Sequence, residues 1–246
     1  MNETVTYESH QDVATIMIRR GNKLNALNND VVEGLRDAWM RFEASDDRAA
    51  VLTSEGDRAF CVGADLSDPP AEMWEAVPGV GVSVTKPVVA AVFGHCVGGG
   101  YILSQHSDLA VVADNTVFMY PEARVGFTGG LCSGAAVRVP HKIAMEFLLL
   151  GEPLTAQRAY EVGMVNKVVP LGTQLEVATQ MAQTIAQSAP LVVSTIKQFA
   201  DRTVPLSPSE EAAHARRQLV QVSRSSDGQE GKAAFLEKRQ PSFQGI

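Results

Sequence analysis

Short β-branched runs alternate with longer periodic stretches along this chain. Residues 13–19 (VATIMIR), 49–53 (AAVLT) and 88–92 (VVAAV) are rich in valine and isoleucine and too short for stable helices, so they are predicted to be buried strands. Between the first two, Val31, Leu35, Ala38, Trp39 and Phe42 recur at helical spacing and predict an amphipathic helix lying on a sheet. Asp30 and Glu33 read as a capping-box-like pair at its start. Further strands are expected at residues 59–66 (AFCVGADL), 109–113 and 165–169, and helices at 101–106, 131–139 and from Thr155 to a stop at Gly163. Residues 67–85 carry three prolines and two glycines, which predicts a loop with at most a short helix near 71–76.

From residue 173 onward the pattern is helical. Helices are predicted at 173–188, ahead of Pro190, and at 191–202. Ser207-Pro208-Ser209-Glu210 reads as a capping box with proline at the first helical position, and Asp227 to Glu230 as the cap of a last helix running to about Arg239. Strands alternating with helices predict an α/β layered fold: a core over residues 1–190 followed by a helical segment over 191–246.

Composition narrows the class. With 45% hydrophobic residues among 246, the chain can bury a full core. A net charge of −7 without a long Lys/Arg run argues against nucleic acid or an anionic membrane as partner. Cys61, Cys96 and Cys132 are widely spaced and odd in number, so they read as reduced, mostly buried thiols. The segment MNETVTYESH lacks a basic start and an apolar centre, and no apolar run approaches membrane-spanning length, so a cytoplasmic location is expected. No His/Cys/Asp cluster has ligand spacing, so no metal is implied.

The chemistry concentrates in KPVVAAVFGHCVGGGYILSQHSDLAVVADNTVFMYPEARVGFTGG, residues 86–130. Gly98-Gly99-Gly100 lie between a strand and a helix, where backbone N–H groups can turn toward an anion or a developing oxyanion. The strand at 59–66 also meets a glycine, leaving the Ala64 N–H free to point inward. Glu122, in Tyr120-Pro121-Glu122, is a candidate for proton transfer; the alternative is an edge carboxylate paired with Arg124. His95 and Tyr120 lie near enough in sequence to be weighed as auxiliary groups against ordinary structural roles, while His106, one turn further along the helix, leads away from the glycine triplet. Met73 and Trp74 could line a pocket or simply pack under their loop.

AFCVGADL, KPVVAAVFGHCVGGG and YPEARVG, together with NKLNAL at 22–27, GEPLTAQRAYEVGMVNKVV at 151–169 and EGKAAFLEKRQPSF at 230–243, resemble the crotonase (enoyl-CoA hydratase/isomerase) superfamily over essentially the whole chain. The resemblance implies a ββα spiral core with a helical C-terminal trimerisation region, a homotrimer or dimer of trimers, and an acyl-CoA thioester as substrate, with no cofactor beyond the coenzyme A of the substrate itself. It assigns the oxyanion donors to Ala64 and Gly99 and the acid/base to Glu122. It assigns coenzyme A contacts to Lys23, Leu24, Ala26, Ala64, Asp65, Leu66, Phe235 and Lys238, the last two within one subunit or across a subunit boundary. One position departs from the family's hydratases. They carry a second glutamate two residues past the glycine triplet, and here that residue is Ile102. The single remaining carboxylate points to double-bond isomerisation over hydration. Hydration through a substitute group, thioester or β-diketone hydrolysis, and a silent CoA-binding protein are the alternatives.

Overall fold

The computed structural model describes residues 4–246; Met1 to Glu3, the start of the segment read as lacking a leader, lie outside the described residues. The chain opens with β1 (Val5–His10), β2 (Val13–Ile18), a 3₁₀ turn at Gly21–Lys23 and helix α1 (Asn29–Ala44). Next come β3 (Ala49–Ser54), β4 (Ala59–Cys61), a 3₁₀ turn at Met73–Ala76, β5 (Val88–Val92), β6 (His95–Val97) and α2 (Gly99–Gln105). Strands β7 (Leu109–Ala113) and β8 (Val117–Met119) lead to the one-turn helix α3 (Glu122–Val125), a 3₁₀ turn at Leu131–Gly134, α4 (Ala135–Arg138) and α5 (His141–Leu150). The chain continues through β9 (Leu154–Thr155), α6 (Ala156–Glu161), β10 (Lys167–Val169), α7 (Gln174–Ala186), α8 (Pro190–Asp201), α9 (Pro208–Arg224) and α10 (Ser226–Glu237).

Ten strands form two sheets among the described residues: β1-β2-β3-β5-β7-β10 and β4-β6-β8-β9. Only β1 against β2 and β8 against β9 are antiparallel. Parallel strands buried on both faces read as continuous apolar runs, which is why VVAAV at β5 shows no alternation. One face of the large sheet (Ala50, Leu52, Val88, Ala90) packs with α1 and the small sheet. The other (Val51, Val89, Ala91, Val111) packs on Ala178, Ala182 and Ala186 of α7, whose small side chains let the helix approach closely. The apolar face read for α1 is buried as expected. No helix of the described residues is long and apolar enough to cross a membrane.

Several boundaries differ from the expectation. The N-cap of α1 is Asn28, whose side chain accepts from the Val31 N–H, in place of the Asp30/Glu33 pair. Ser225, not Asp227, caps α10, which ends at Glu237 with Lys238 in the left-handed region. Asp227 instead accepts from Gln244 and Gly245 and ties down the chain end. The expected capping box at Ser207 and Glu210 is present. Strands β1, β6 and β8 and helix α5 are additional to the sequence reading, and the helix expected over 131–139 is a 3₁₀ turn followed by α4.

Candidate active site

The site forms where the two sheets' crossovers meet. Leu27 donates to the Gly63 carbonyl at 2.8 Å, and Asp65 donates to the Leu27 carbonyl at 2.8 Å. Hydrogen bonds on both sides of Ala64 thus fix its plane, while its own N–H makes none among the described residues. Gly98 takes φ +52° and ψ −114°, a conformation open to glycine but strained for other residues, and this swings the chain from β6 into α2. Gly99, the first residue of α2, likewise has an unpaired N–H. The two donors are neighbours because the backbones touch: a Cβ on Gly63 would lie 3.2 Å from the Gly99 nitrogen.

Glu122 begins α3 directly after β8 and Pro121, and is buried. Its Oε2 accepts from the Gly129 N–H at 3.2 Å. Its Oε1 faces the glycine turn, 4.0 Å from where a Cβ on Gly98 would stand. Arg124 does not pair with it, turning instead to Glu152 at 3.8 Å. A buried carboxylate that the Gly129 N–H and the Tyr120 hydroxyl hold at the edge of the glycine turn has the chemistry of a proton donor and acceptor.

A cavity of about 260 Å³ opens beside these groups, lined by Gly99 and Glu122 with Leu27, Ile102, Phe127 and Leu131. Met73, Trp74, Tyr120 and Thr128 are also in its wall, so the loop residues weighed against simple packing do line the pocket. Ile102 is buried and supplies only hydrocarbon at the position discussed above. The Tyr120 hydroxyl lies beside Cys132, Glu122 and Thr128; burial, then Cys132 and Glu122, push the phenol far above its usual range, so it stays a protonated donor. Burial raises the thiols of Cys61, to about 12, and of Cys96, which removes them as nucleophiles. His95 is exposed on β6 and His106 closes α2 at its far end; neither lines this cavity. A larger cavity of about 800 Å³ between the core and α8–α9 contains none of Ala64, Gly99 and Glu122.

The residues assigned to coenzyme A divide into two groups. Lys23 to Ala26 form a turn in which Leu24 and Asn25 have positive φ. Buried Asn25 locks it by donating to the Glu55 and Ala59 carbonyls. Arg20 joins this turn to the segment that follows β4, donating to the Ala26 carbonyl at 3.1 Å and pairing with Asp65 at 2.7 Å. Hydrogen bonds from Ser67, then Arg20, hold the Asp65 carboxyl well below the usual carboxylate range, so its side chain is committed to the scaffold. Leu66 is 80% exposed next to it. Phe235 on α10 and Lys238 just past its end stand apart, with Phe235 82% exposed, and line none of this cavity. The roles of Arg20, Asn25 and Gly129 had no signal in the sequence beyond a glycine pair seven residues past Glu122.

The family model for enoyl-CoA hydratase/isomerase matches residues 8–245. The (E)-benzylidenesuccinyl-CoA hydratase of Thauera aromatica is 33% identical, with 98% of this chain and 99% of that protein aligned. Carnitinyl-CoA dehydratase of Proteus mirabilis is 32% identical over the full length of both. The crystal structure of carnitinyl-CoA hydratase from Mycobacterium avium superposes with a TM-score of 0.77 at 33% identity, covering 99% of each chain.

Proposed function

The chain belongs to the enoyl-CoA hydratase/isomerase family, and from that premise we propose that it moves the double bond of an enoyl-CoA thioester through an enolate, with Glu122 as the single acid/base. The observation that carries this reading is Ile102: the cavity wall that holds Glu122 offers no second carboxylate to hold and activate water. The thioester oxygen of a 3-enoyl-CoA accepts from the N–H groups of Ala64 and Gly99. Glu122 takes a proton from C2, the electron pair passes onto that oxygen, and the proton returns at C4 as the double bond shifts to C2–C3. Charge gathers on the thioester oxygen in this step, and each aligned donor is worth about 10²–10³ in rate. Coenzyme A is part of the substrate, and no further cofactor is required. A cytoplasmic homotrimer, or a dimer of trimers, belongs to the same proposal.

Hydration is the second reading, favoured by the names of the relatives. In that case the hydroxyls of Tyr120 and Thr128 are the neutral polar groups in the cavity wall that would orient water. Proton NMR of a 3-enoyl-CoA incubated in D₂O separates the two. Double-bond migration with deuterium uptake, falling at least ~10³-fold in Glu122→Gln, is expected. Fast Glu122-dependent formation of a 3-hydroxyacyl-CoA from a 2-enoyl-CoA would overturn isomerisation in favour of hydration.

A further inference from the structure

We propose that Arg216, on α9, is a positioning residue for the acyl pocket, acting through Glu72 on the indole of Trp74. The inference rests on the acyl-CoA reading above and names a device that shapes its pocket.

The wall of the cavity formed by Pro70, Ala71, Met73, Trp74 and Val77 belongs to the long connection from β4 to β5. Its only helical piece among the described residues is the 3₁₀ turn at Met73–Ala76. A segment with so little backbone pairing takes its shape from side chains that reach into it. Four come from α9. His214 and Arg217 meet the Gly79 carbonyl at 3.1 and 3.2 Å, and Arg224 pairs with buried Glu75 at 3.3 Å, which Arg36 of α1 holds from the other side at 3.0 Å. Arg216 pairs with Glu72.

Glu72 differs from the other anchors because its second oxygen serves the cavity. The Trp74 indole N–H donates to Glu72 Oε2 at 2.6 Å, while Oε1 receives the Arg216 guanidinium. The two oxygens of one carboxylate are fixed from opposite sides, so setting its plane sets the indole rotamer. The indole lines the cavity beside Met73, whose sulfur stands 3.1 Å from where a Cβ on Gly99 would be. A charge pair that is half in solvent adds little to stability. Its consequence is orientation: without Arg216 the carboxylate turns to water and the indole loses its fixed partner. The reactive end, Ala64, Gly99 and Glu122, is untouched.

The test is a cycle of Arg216→Ala, Trp74→Phe and the double variant, with Arg216→Lys as the conservative replacement. Calorimetric titrations with butanoyl-, octanoyl- and dodecanoyl-CoA give the ratio of dissociation constants across chain lengths. Turnover of a 3-enoyl-CoA gives kcat and KM, and tryptophan emission of the free protein reports the indole. Arg216→Ala is expected to compress the chain-length ratio at least five-fold, raise KM with kcat within two-fold, and shift the emission. Trp74→Phe removes the indole itself, N–H and emitter together, so the emission change assigns the reporter to Trp74 if it vanishes in this background, and the binding ratios carry the test of the relay. The double variant should match the more affected single one, since two links of one relay are not additive. Arg216→Lys should recover most of the ratio. Additive effects, or loss of kcat and melting temperature in parallel with an unchanged ratio, would overturn the relay. A wild type that binds none of the three acyl-CoAs would overturn the substrate reading and the relay with it. Normal wild-type binding with an unaltered Arg216→Ala ratio would sink the relay alone.

Discussion

A methyl group on Gly100 would sit 2.2 Å from the Cys61 carbonyl oxygen, whereas one on Gly99 would meet the ends of the Leu27 and Met73 side chains at 2.8 and 3.1 Å. Backbone cannot move aside as a flexible side chain does. Gly100→Ala is therefore expected to destabilise by about 3 kcal/mol, lowering the melting temperature by roughly 6–12 °C. Gly99→Ala should melt within about 3 °C of the wild type while it crowds the cavity mouth and weakens turnover. Calorimetric scans of the two variants check the order, and equal melting temperatures would contradict the packing described. Ile102→Glu addresses the chemistry. It restores a carboxylate to the cavity wall and should raise 2-enoyl-CoA hydration at least ten-fold over the wild type, read from loss of the enoyl absorbance. At this scale the site was partly legible. Gly99 and Glu122 sit in short local motifs whose geometry follows from neighbouring residues. Glu72, Trp74 and Arg216 meet across 144 positions, and no local pattern encodes that contact.

Length alone did not decide which elements were legible: α5, ten residues long, and β1, six, went unread, while the three-residue β4 and β10 fell within expected strands. Helix α1 and strand β5 declared themselves through periodicity and β-branching, but β6 and β8 are three residues each, less than two alternations, and no period can be read from them. Their positions are set by the neighbours they pair with. The cap of α1 was displaced because Asn28 satisfies the first-turn donor before Asp30 can. The contact between α2 and α9 carries a pH signature. His106 at the end of α2 is buried 3.8 Å from Glu210, which Arg138 also pairs at 3.0 Å. Burial, then the charge of Arg138, lower the His106 pKa from 6.5 to about 4, against the opposing pull of Glu210, while His214 adds to the lowering. Between those two values the unfolded chain binds the proton and the folded one does not. Stability is thus fully present above pH 6.5 and lost as pH falls toward 4, by at most about 1.4 kcal/mol per unit for one proton. Burial alone would raise Glu210, but hydrogen bonds from Ser207 and the charge of Arg138 bring it below its usual value, so its loss follows at still lower pH. Urea unfolding at pH 7, 6 and 5 should show the decline, and His106→Gln should flatten it. An unchanged slope in that variant would place the proton uptake elsewhere.

At the scale of the whole molecule, α8 presents an apolar surface that the single chain leaves uncovered, as α9 and α10 do at Leu219, Val222, Phe235 and Leu236. Helix α8 buries none of its residues, yet Leu191, Val192, Ile196 and Phe199 are all more than half exposed. Val192, Ile196 and Phe199 follow the i, i+4, i+7 spacing of one helical face, while Lys197 on another side fastens the helix to Asp108 at 2.6 Å. A helix tied to the core by its polar side with an apolar stripe outward is shaped for contact with another copy. The proposed trimer or dimer of trimers predicts a solution mass three or six times the 26.4 kDa of the chain, with Ile196→Glu/Phe199→Glu reverting to single-chain mass by light scattering. A wild type of single-chain mass would remove the trimer. The same variant tests the contacts assigned to Phe235 and Lys238, which lie outside the cavity of their own chain. If a neighbouring copy supplies them, dissociation should weaken binding of free coenzyme A several-fold, since the Glu122 cavity stays intact but loses its borrowed partners. Unchanged coenzyme A affinity in the dissociated protein would confine the site to one chain and leave α10 without a part in it.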